Sequence, residues 1–168
     1  MKRILALLLT LLLLLSVMWM IWSFSAMDAE ESSAESGSIV ELLIDSFFHS
    51  FPAMSAEKQE QLTHILTVLV RKSGHFAEYT LLGFCMRLHI AAIGGFRTVR
   101  RPAAAAWLLS TVYAASDEIH QIFVPGRGPA VKDVLLDSCG TVLGVLLCTL
   151  IVTAALRRRA KTTESEKS

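Results

Sequence analysis

Charged residues are scarce in this chain, and the few present balance one another. Only 18% of the 168 residues are charged, against about a quarter in a typical soluble domain. Hydrophobic residues make up 53%, and the mean hydropathy is +0.51. The formal net charge of +1 leaves no basic surplus of the kind that nucleic-acid binding needs. These numbers exclude a soluble globular domain, and we expect no nucleic-acid partner.

Cysteine is also rare, and its placement excludes two common uses. The three cysteines, Cys85, Cys139 and Cys148, all fall within apolar stretches. An odd count without paired spacing argues against a disulfide framework or a zinc cluster, so we expect small buried side chains. The HExxH motif of helix-borne zinc enzymes is missing as well.

What the chain does contain is long apolar runs. A helix needs roughly 20 apolar residues to cross a bilayer core. Four segments come close to that length: Ile4–Phe24, His75–Ile93, Ala103–Phe123 and Val134–Leu156. The predicted fold is therefore all-α, a four-helix transmembrane bundle.

The first of these segments also resembles a signal peptide. Lys2 and Arg3 precede an apolar run, but the run is longer than the typical h-region of about 7–15 residues. We therefore predict an uncleaved anchor, with cleavage as the alternative. Cleavage would leave the rest of the topology unchanged.

Basic residues predict the orientation of the bundle. They cluster before the first segment, in the Gly94–Arg101 loop and after the fourth segment, from Arg157 to Lys161. With four crossings these clusters share one side, and the positive-inside rule makes that side the cytoplasm. Both termini are thus predicted to be cytoplasmic, and the residues before the second segment and after the third are predicted to face outward.

The first outward connection divides into two parts. Asp28–Ser38 is rich in Ser, Glu and Ala and is predicted to be a solvated linker. Ile39–Phe51 is densely apolar and predicts a short interfacial helix; a further helix capped by Ser55 would then end at the Ser73–Gly74 break. The predicted divisions of the chain are a first helix (1–24), an extracytoplasmic linker with one or two interfacial helices (25–73), a three-helix membrane core (74–156) and a basic cytoplasmic tail (157–168).

Ionisable residues gather at the predicted outer ends of the second, third and fourth segments. Intramembrane ionisable residues usually face the bundle interior or a water-filled cavity. We therefore predict one polar pocket open to the outside. Its candidate residues are Lys72, His75, Glu78, Tyr79, Asp117, Glu118, His120, Gln121, Arg127, Asp133 and Asp137.

Several of these residues also have a structural interpretation. The His75/Glu78 pair could clasp two helices, Asp133 could cap the fourth helix, and Lys72 could bind lipid phosphates. Arg87 and His89 are interpreted as topology determinants. Asp137 has no comparable structural explanation.

Two sequence features are expected to shape the pocket. Pro-Gly and Gly-Pro flank Arg127 and predict turns that present its guanidinium to the pocket mouth. Gly140 and Gly144 form a GxxxG pattern that lets the fourth helix approach a neighbour closely, with Gly83 as a matching small residue.

Two long motifs resemble those of VanZ-like membrane proteins. The first is Arg71-Lys72-Ser73-Gly74-His75-Phe76-Ala77-Glu78-Tyr79, followed by Leu82-Gly83, and the second runs from Asp117 to Arg127. Asp133-Val134 with Gly140 matches the continuation, and Asp137 stands where that family usually has Asn, which adds a negative charge to the pocket. The resemblance implies a bacterial plasma-membrane protein of a family associated with resistance to glycopeptide antibiotics such as teicoplanin.

Three classes of function fit these observations, and the sequence leaves the choice open. The first is a binding module for an envelope molecule, a lipid-linked precursor or a glycopeptide. The second is a membrane hydrolase acting on a phosphate or ester, with His75, Glu78, Asp117 and His120 as candidate ligands of a divalent metal. The third is a structural scaffold within the lipid membrane.

Overall fold

The computed structural model describes residues 1–94, 100–128 and 130–165, and the chain is all-α over these ranges. Its elements are α1 (Lys2–Ser25), α2 (Ala29–Phe47), a 3-10 turn (Phe51–Ala53), α3 (Ala56–Gly94), α4 (Arg100–Gln121) and α5 (Val131–Ser165). The predicted all-α class is confirmed. Residues 95–99 of the predicted Gly94–Arg101 loop, and Pro129 of the loop around Arg127, lie outside the described residues.

Three helices are long and apolar enough to cross a membrane. They are Lys2–Ser25, Ala56–Gly94 and Val131–Ala155. The third predicted span, α4, is not among them, because both of its ends carry charges and its middle contains Ser, Thr and Tyr. Composition and length therefore support three of the four predicted crossings.

The burial pattern suits a lipid environment. Large apolar side chains such as Leu8, Leu12 and Leu150 are exposed, whereas Asp117 and Asp137 are buried. Soluble proteins rarely leave so much contiguous apolar surface uncovered. The apolar residues thus face outward, where acyl chains would cover them.

Hydrogen bonds between helices establish their relative directions. The Tyr113 hydroxyl donates to the Met18 carbonyl at 2.7 Å, and Gln121 Nε2 donates to Ser25 Oγ at 3.0 Å. Hence α1 and α4 run side by side in the same direction. Arg3 at the start of α1 instead donates to the Ile93 carbonyl at the end of α3 (2.9 Å), so these two helices are antiparallel.

Glycines bring α3 and α5 into backbone contact, as the GxxxG pattern predicts. A Cβ added at Gly144 would overlap the Thr80 carbonyl oxygen, and one at Gly140 would lie 2.6 Å from the Phe76 carbonyl oxygen. Gly83 faces the Thr141 backbone in the same way. We call this contact the α3–α5 seam.

The predicted solvated linker is wrong, because α2 begins at Ala29 and includes most of it. The Asp28 carboxylate accepts hydrogen bonds from the backbone N–H groups of Glu30 and Glu31, at 2.9 and 2.8 Å, and so caps the helix. Ser32 and Ser36 are buried on the stripe that continues through Val40 and Ile44. The linker residues and the apolar segment after them therefore form one helix, which packs on α3.

The predicted break at Ser73–Gly74 is also wrong. The helix does begin just after Ser55, but it runs without interruption to Gly94, over 39 residues. Glycine inside a helix costs only about 1 kcal/mol relative to alanine, and helix propagation is cooperative. At 1.5 Å per residue α3 is about 58 Å long, so it extends well beyond a bilayer core of about 30 Å.

Four smaller predictions need correction. Asp133 does not cap α5, because the helix already begins at Val131. Cys85 and Cys148 are buried, but Cys139 is exposed on the apolar surface. Arg87 is buried at 1% exposure and donates from Nε to Thr149 Oγ1 at 3.2 Å, so it is an interior residue. The last turn of α4 ends at Gln121, two residues before the predicted end of the third segment.

Candidate functional site

The predicted polar residues lie at one end of the bundle. There α1 ends at Ser25, α4 ends at Gln121 and α5 begins at Val131, beside the middle of α3 near Lys72. We call this the site end. It contains two adjoining cavities, where the sequence predicted one pocket.

Cavity A lies between α3, α5 and the end of α4, and has a volume of about 100 Å³. Seven of the eleven predicted site residues line it: Lys72, His75, Glu118, Gln121, Arg127, Asp133 and Asp137. Arg71, Gly126, Gly128 and Leu136 complete the lining. Its charged side chains are three basic and three acidic, so the cavity is polar but balanced.

Cavity B lies between α2, α3 and the end of α1, and is larger, at about 350 Å³. Glu78 and Glu35 contribute its acids, while Phe24, Ile39 and Val70 give it an apolar part. Three residues line both cavities: Arg71, His75 and Arg127. These shared side chains form a mainly basic divider between the two cavities.

Two of the acids in cavity A are already engaged by the protein. Asp133 forms an ion pair with Lys72, and both side chains are partly exposed. Glu118, only 4% exposed, accepts a hydrogen bond from the Ala130 backbone N–H at 2.9 Å. This second contact fastens the start of α5 to the end of α4.

Asp137 is different, because it is buried without a comparable contact. The residue is 1% exposed, it lines cavity A, and its Oδ1 atom has no hydrogen-bond partner among the described residues. Buried polar groups in proteins are almost always hydrogen-bonded, since leaving one unpaired costs about 1–3 kcal/mol. The lining of cavity A thus contains a buried acceptor without a partner among the described residues.

Arg127 is positioned by a tight turn against α2. Gly126 has φ +73°, the left-handed region that favours glycine, and a Cβ there would lie 2.9 Å from that of Ala29. The Ala29 N–H also donates to the Pro125 carbonyl oxygen at 3.3 Å. The start of α2 therefore holds the turn that carries Arg127.

The Arg127 guanidinium is only partly satisfied. One terminal nitrogen donates to the Phe24 carbonyl oxygen at 3.5 Å, whereas Nε is buried with no partner among the described residues. Burial, and then the nearby Arg71 charge, lower the pKa of Arg127 from its ordinary value. Both effects disfavour the charged form, and an anion in the cavity would offset both.

Three predicted site residues line neither cavity. Asp117 is 4% exposed, and neither carboxylate oxygen has a hydrogen-bond partner in the described part of the chain. The Tyr79 hydroxyl lies beside it, but outside hydrogen-bonding geometry. His120 turns toward α1 and stacks on Trp22, with ring centroids 5.6 Å apart.

The arrangement does not favour the candidate metal set. Across the described ranges, no group of three or more His, Cys, Asp and Glu side chains could hold a metal ion. Of the four candidate ligands, His75 lines both cavities and Glu78 lines cavity B, whereas Asp117 and His120 line neither. The four predicted ligands are therefore not brought together at one site.

Two charged residues of the site are absent from the predicted set. Arg71 precedes Lys72 in the first motif, and Glu35 lies on α2, within the predicted linker. A signal for α2 was present, because Asp28 and Glu31 have the spacing of a capping box. Glu35 one turn further on would then have been placed on a helix.

A bundle with three membrane-length apolar helices, exposed leucines and polar cavities at one end defines a membrane protein. A family model described as VanZ/LLP1 matches residues 10–152, which is most of the chain. The chain therefore belongs to the VanZ/LLP1 family, and the resemblance drawn from the two motifs is confirmed. Comparison with curated proteins and with solved structures gives no significant match.

Proposed function

We propose that this protein binds the polar part of an envelope or lipid-linked molecule at the site end of its bundle, and thereby contributes to glycopeptide resistance. The observation that carries the proposal is the combination of Asp137 and Arg127. Both line cavity A, and each has a buried polar atom without a partner among the described residues. Such groups cost stability, and a ligand that pairs with them explains why they are present.

The proposal includes four crossings of a bacterial plasma membrane, with both termini in the cytoplasm. At 22 residues, α4 is about 33 Å long, which matches a core of about 30 Å. It runs parallel to α1, and α1 is antiparallel to α3, as alternating crossings require. The positive-inside rule, applied to the basic clusters, supports an extracytoplasmic site end.

Neither alternative class has comparable support. A metal-dependent hydrolase lacks a ligand group in the described chain. A scaffold would not need unpaired buried charges beside a cavity. A glycopeptide is also much larger than a cavity of about 100 Å³, so only a small polar part of a ligand enters cavity A.

The test compares two arginine variants in a teicoplanin-sensitive bacterial host that produces this chain. Arg127→Gln removes a cavity charge, and Arg158→Gln is the matched control on the exposed end of α5. We expect Arg127→Gln to lose the protection against teicoplanin per folded molecule, and Arg158→Gln to keep it. Equal protection by both variants, normalised to folded membrane protein, would leave the scaffold interpretation.

A further inference from the structure

The charges of cavity A are segregated by sign. Once the Lys72–Asp133 pair is set aside, two basic and two acidic side chains remain in the lining: Arg71, Arg127, Glu118 and Asp137. Arg71 and Arg127 lie on the side that cavity A shares with cavity B, whereas Glu118 and Asp137 line cavity A alone. Side chains of like charge therefore share each side of one small cavity.

Such an arrangement is unfavourable unless something is added between the charges. Two guanidinium groups at close range repel each other, and so do two carboxylates, and partial burial weakens the screening by water. An anion beside the arginines and a cation beside the carboxylates would remove both repulsions. The remaining four charges sum to zero, so a ligand without net charge suits the cavity best.

We propose that cavity A recognises a zwitterionic aminoalkyl phosphate, with its phosphate at Arg71 and Arg127 and its ammonium group at Asp137. This inference rests on the proposed function and names the chemical class of the ligand. Arginine forks suit phosphate oxygens because they donate two parallel hydrogen bonds. An ammonium group supplies hydrogen-bond donors for the unpartnered Asp137 Oδ1, together with the positive charge that this buried carboxylate lacks.

The divider residues give the phosphate its position. Arg71 and Arg127 line both cavities, so a phosphate between them has cavity A on one side and cavity B on the other. The ammonium group enters the smaller, closed-in cavity A toward Asp137. The remainder of the ligand leaves through cavity B, where Phe24, Ile39 and Val70 offer apolar contact.

The test measures binding of defined lipids to the full chain in maltoside micelles. Dihexanoyl phosphatidylethanolamine carries the ammonium group, and dihexanoyl phosphatidylglycerol has the same chains and phosphate but no cation. We expect the first to bind at least about tenfold more tightly, the order of discrimination that one close charge pair supplies. Glycerophosphoethanolamine, which has no acyl chains, tells a soluble ligand from a lipid: equal affinity indicates a soluble one, weaker affinity a lipid, and both support the same headgroup chemistry.

Two variants separate this inference from the proposed function. Asp137→Asn keeps the shape of the side chain but removes its charge, so the preference for the ethanolamine lipid should disappear while phosphate binding remains. Asp45→Asn, on the exposed face of α2, is the matched control and should keep the preference. Arg127→Gln should weaken the binding of both lipids. If the Arg127→Gln protein fails to fold, Arg71→Gln provides the same test.

Equal binding of the two lipids, or an unchanged preference in Asp137→Asn, would overturn the zwitterion inference. If binding still depended on Arg127 in that case, the proposed function would stand. If no lipid or headgroup bound in an Arg127-dependent manner, both proposals would fail.

Discussion

The α3–α5 seam and the site end lie on the same two helices, yet they are built from different residues. Along the seam, Gly83, Gly140 and Gly144 put backbone against backbone with no room for a methyl group. At the site end, which begins within one turn of Gly140, charged side chains surround cavities A and B. One region is filled and the other is left open.

The difference shows where the bundle gains stability and where it loses some. Close packing lets small residues contribute dispersion contacts between membrane helices, where burial from water contributes little. Unpartnered atoms of Asp137 and Arg127 instead cost free energy, because they are desolvated without compensation. The seam thus holds α3 and α5 at a fixed distance. This keeps the cavity-lining side chains of the two helices in position at the site end.

The largest expected effect is the difference in stability between two glycine-to-alanine variants, one in the seam and one outside it. Gly144→Ala places a methyl group into the Thr80 carbonyl oxygen, and we expect the free energy of unfolding to fall by about 1–3 kcal/mol. Gly74→Ala is the matched control, because nothing lies within 4 Å of its Cβ. Its helix propensity should raise stability by up to about 1 kcal/mol.

Unfolding by SDS titration in mixed micelles measures both variants. Loss of stability in Gly144→Ala with none in Gly74→Ala is the expected outcome. Similar changes in the two would show that the seam is no more tightly packed than the exposed middle of α3.

A smaller effect is expected where Glu118 fastens α5 to α4. Glu118→Ala removes the acceptor of the Ala130 N–H and should cost about 1–2 kcal/mol of unfolding free energy. Glu118→Gln keeps a carbonyl oxygen there and should retain most of the stability. The same SDS titration measures the stability of both variants. Equal losses of stability would mean that the charge of Glu118, rather than its hydrogen bond, stabilises the loop.

Much of the fold could be predicted from sequence because apolar length and charge are local properties. The all-α class, the start of α3 after Ser55 and the close approach of Gly140 follow from such patterns. The break at Ser73–Gly74 did not occur because helix continuity depends on long cooperative flanks and on packing. The Ser73-Gly74 pair alone carries no information about the flanking helix or its packing.

The site was predictable as a set of residues but not in its internal arrangement. The predicted topology put Lys72, His75 and Asp137 at one end of the bundle, where they line cavity A. All four candidates on α4 were predicted to face the pocket. Glu118 and Gln121 line cavity A, whereas Asp117 and His120 line neither cavity. Helical periodicity defines which residues share a stripe, but tertiary packing decides which stripe faces the cavity.

The most direct test of this account is the stability of Asp137→Asn compared with its binding. If the carboxylate is present for a ligand, removing its charge should raise the unfolding free energy of the ligand-free protein by about 1 kcal/mol, because an uncompensated buried charge is relieved. Binding of the ethanolamine lipid by the same sample should fall, while Asp45→Asn should stay within about 0.5 kcal/mol of the unmodified protein in stability and bind normally. A less stable Asp137→Asn protein that binds normally per folded molecule would contradict the account and make Asp137 a structural residue.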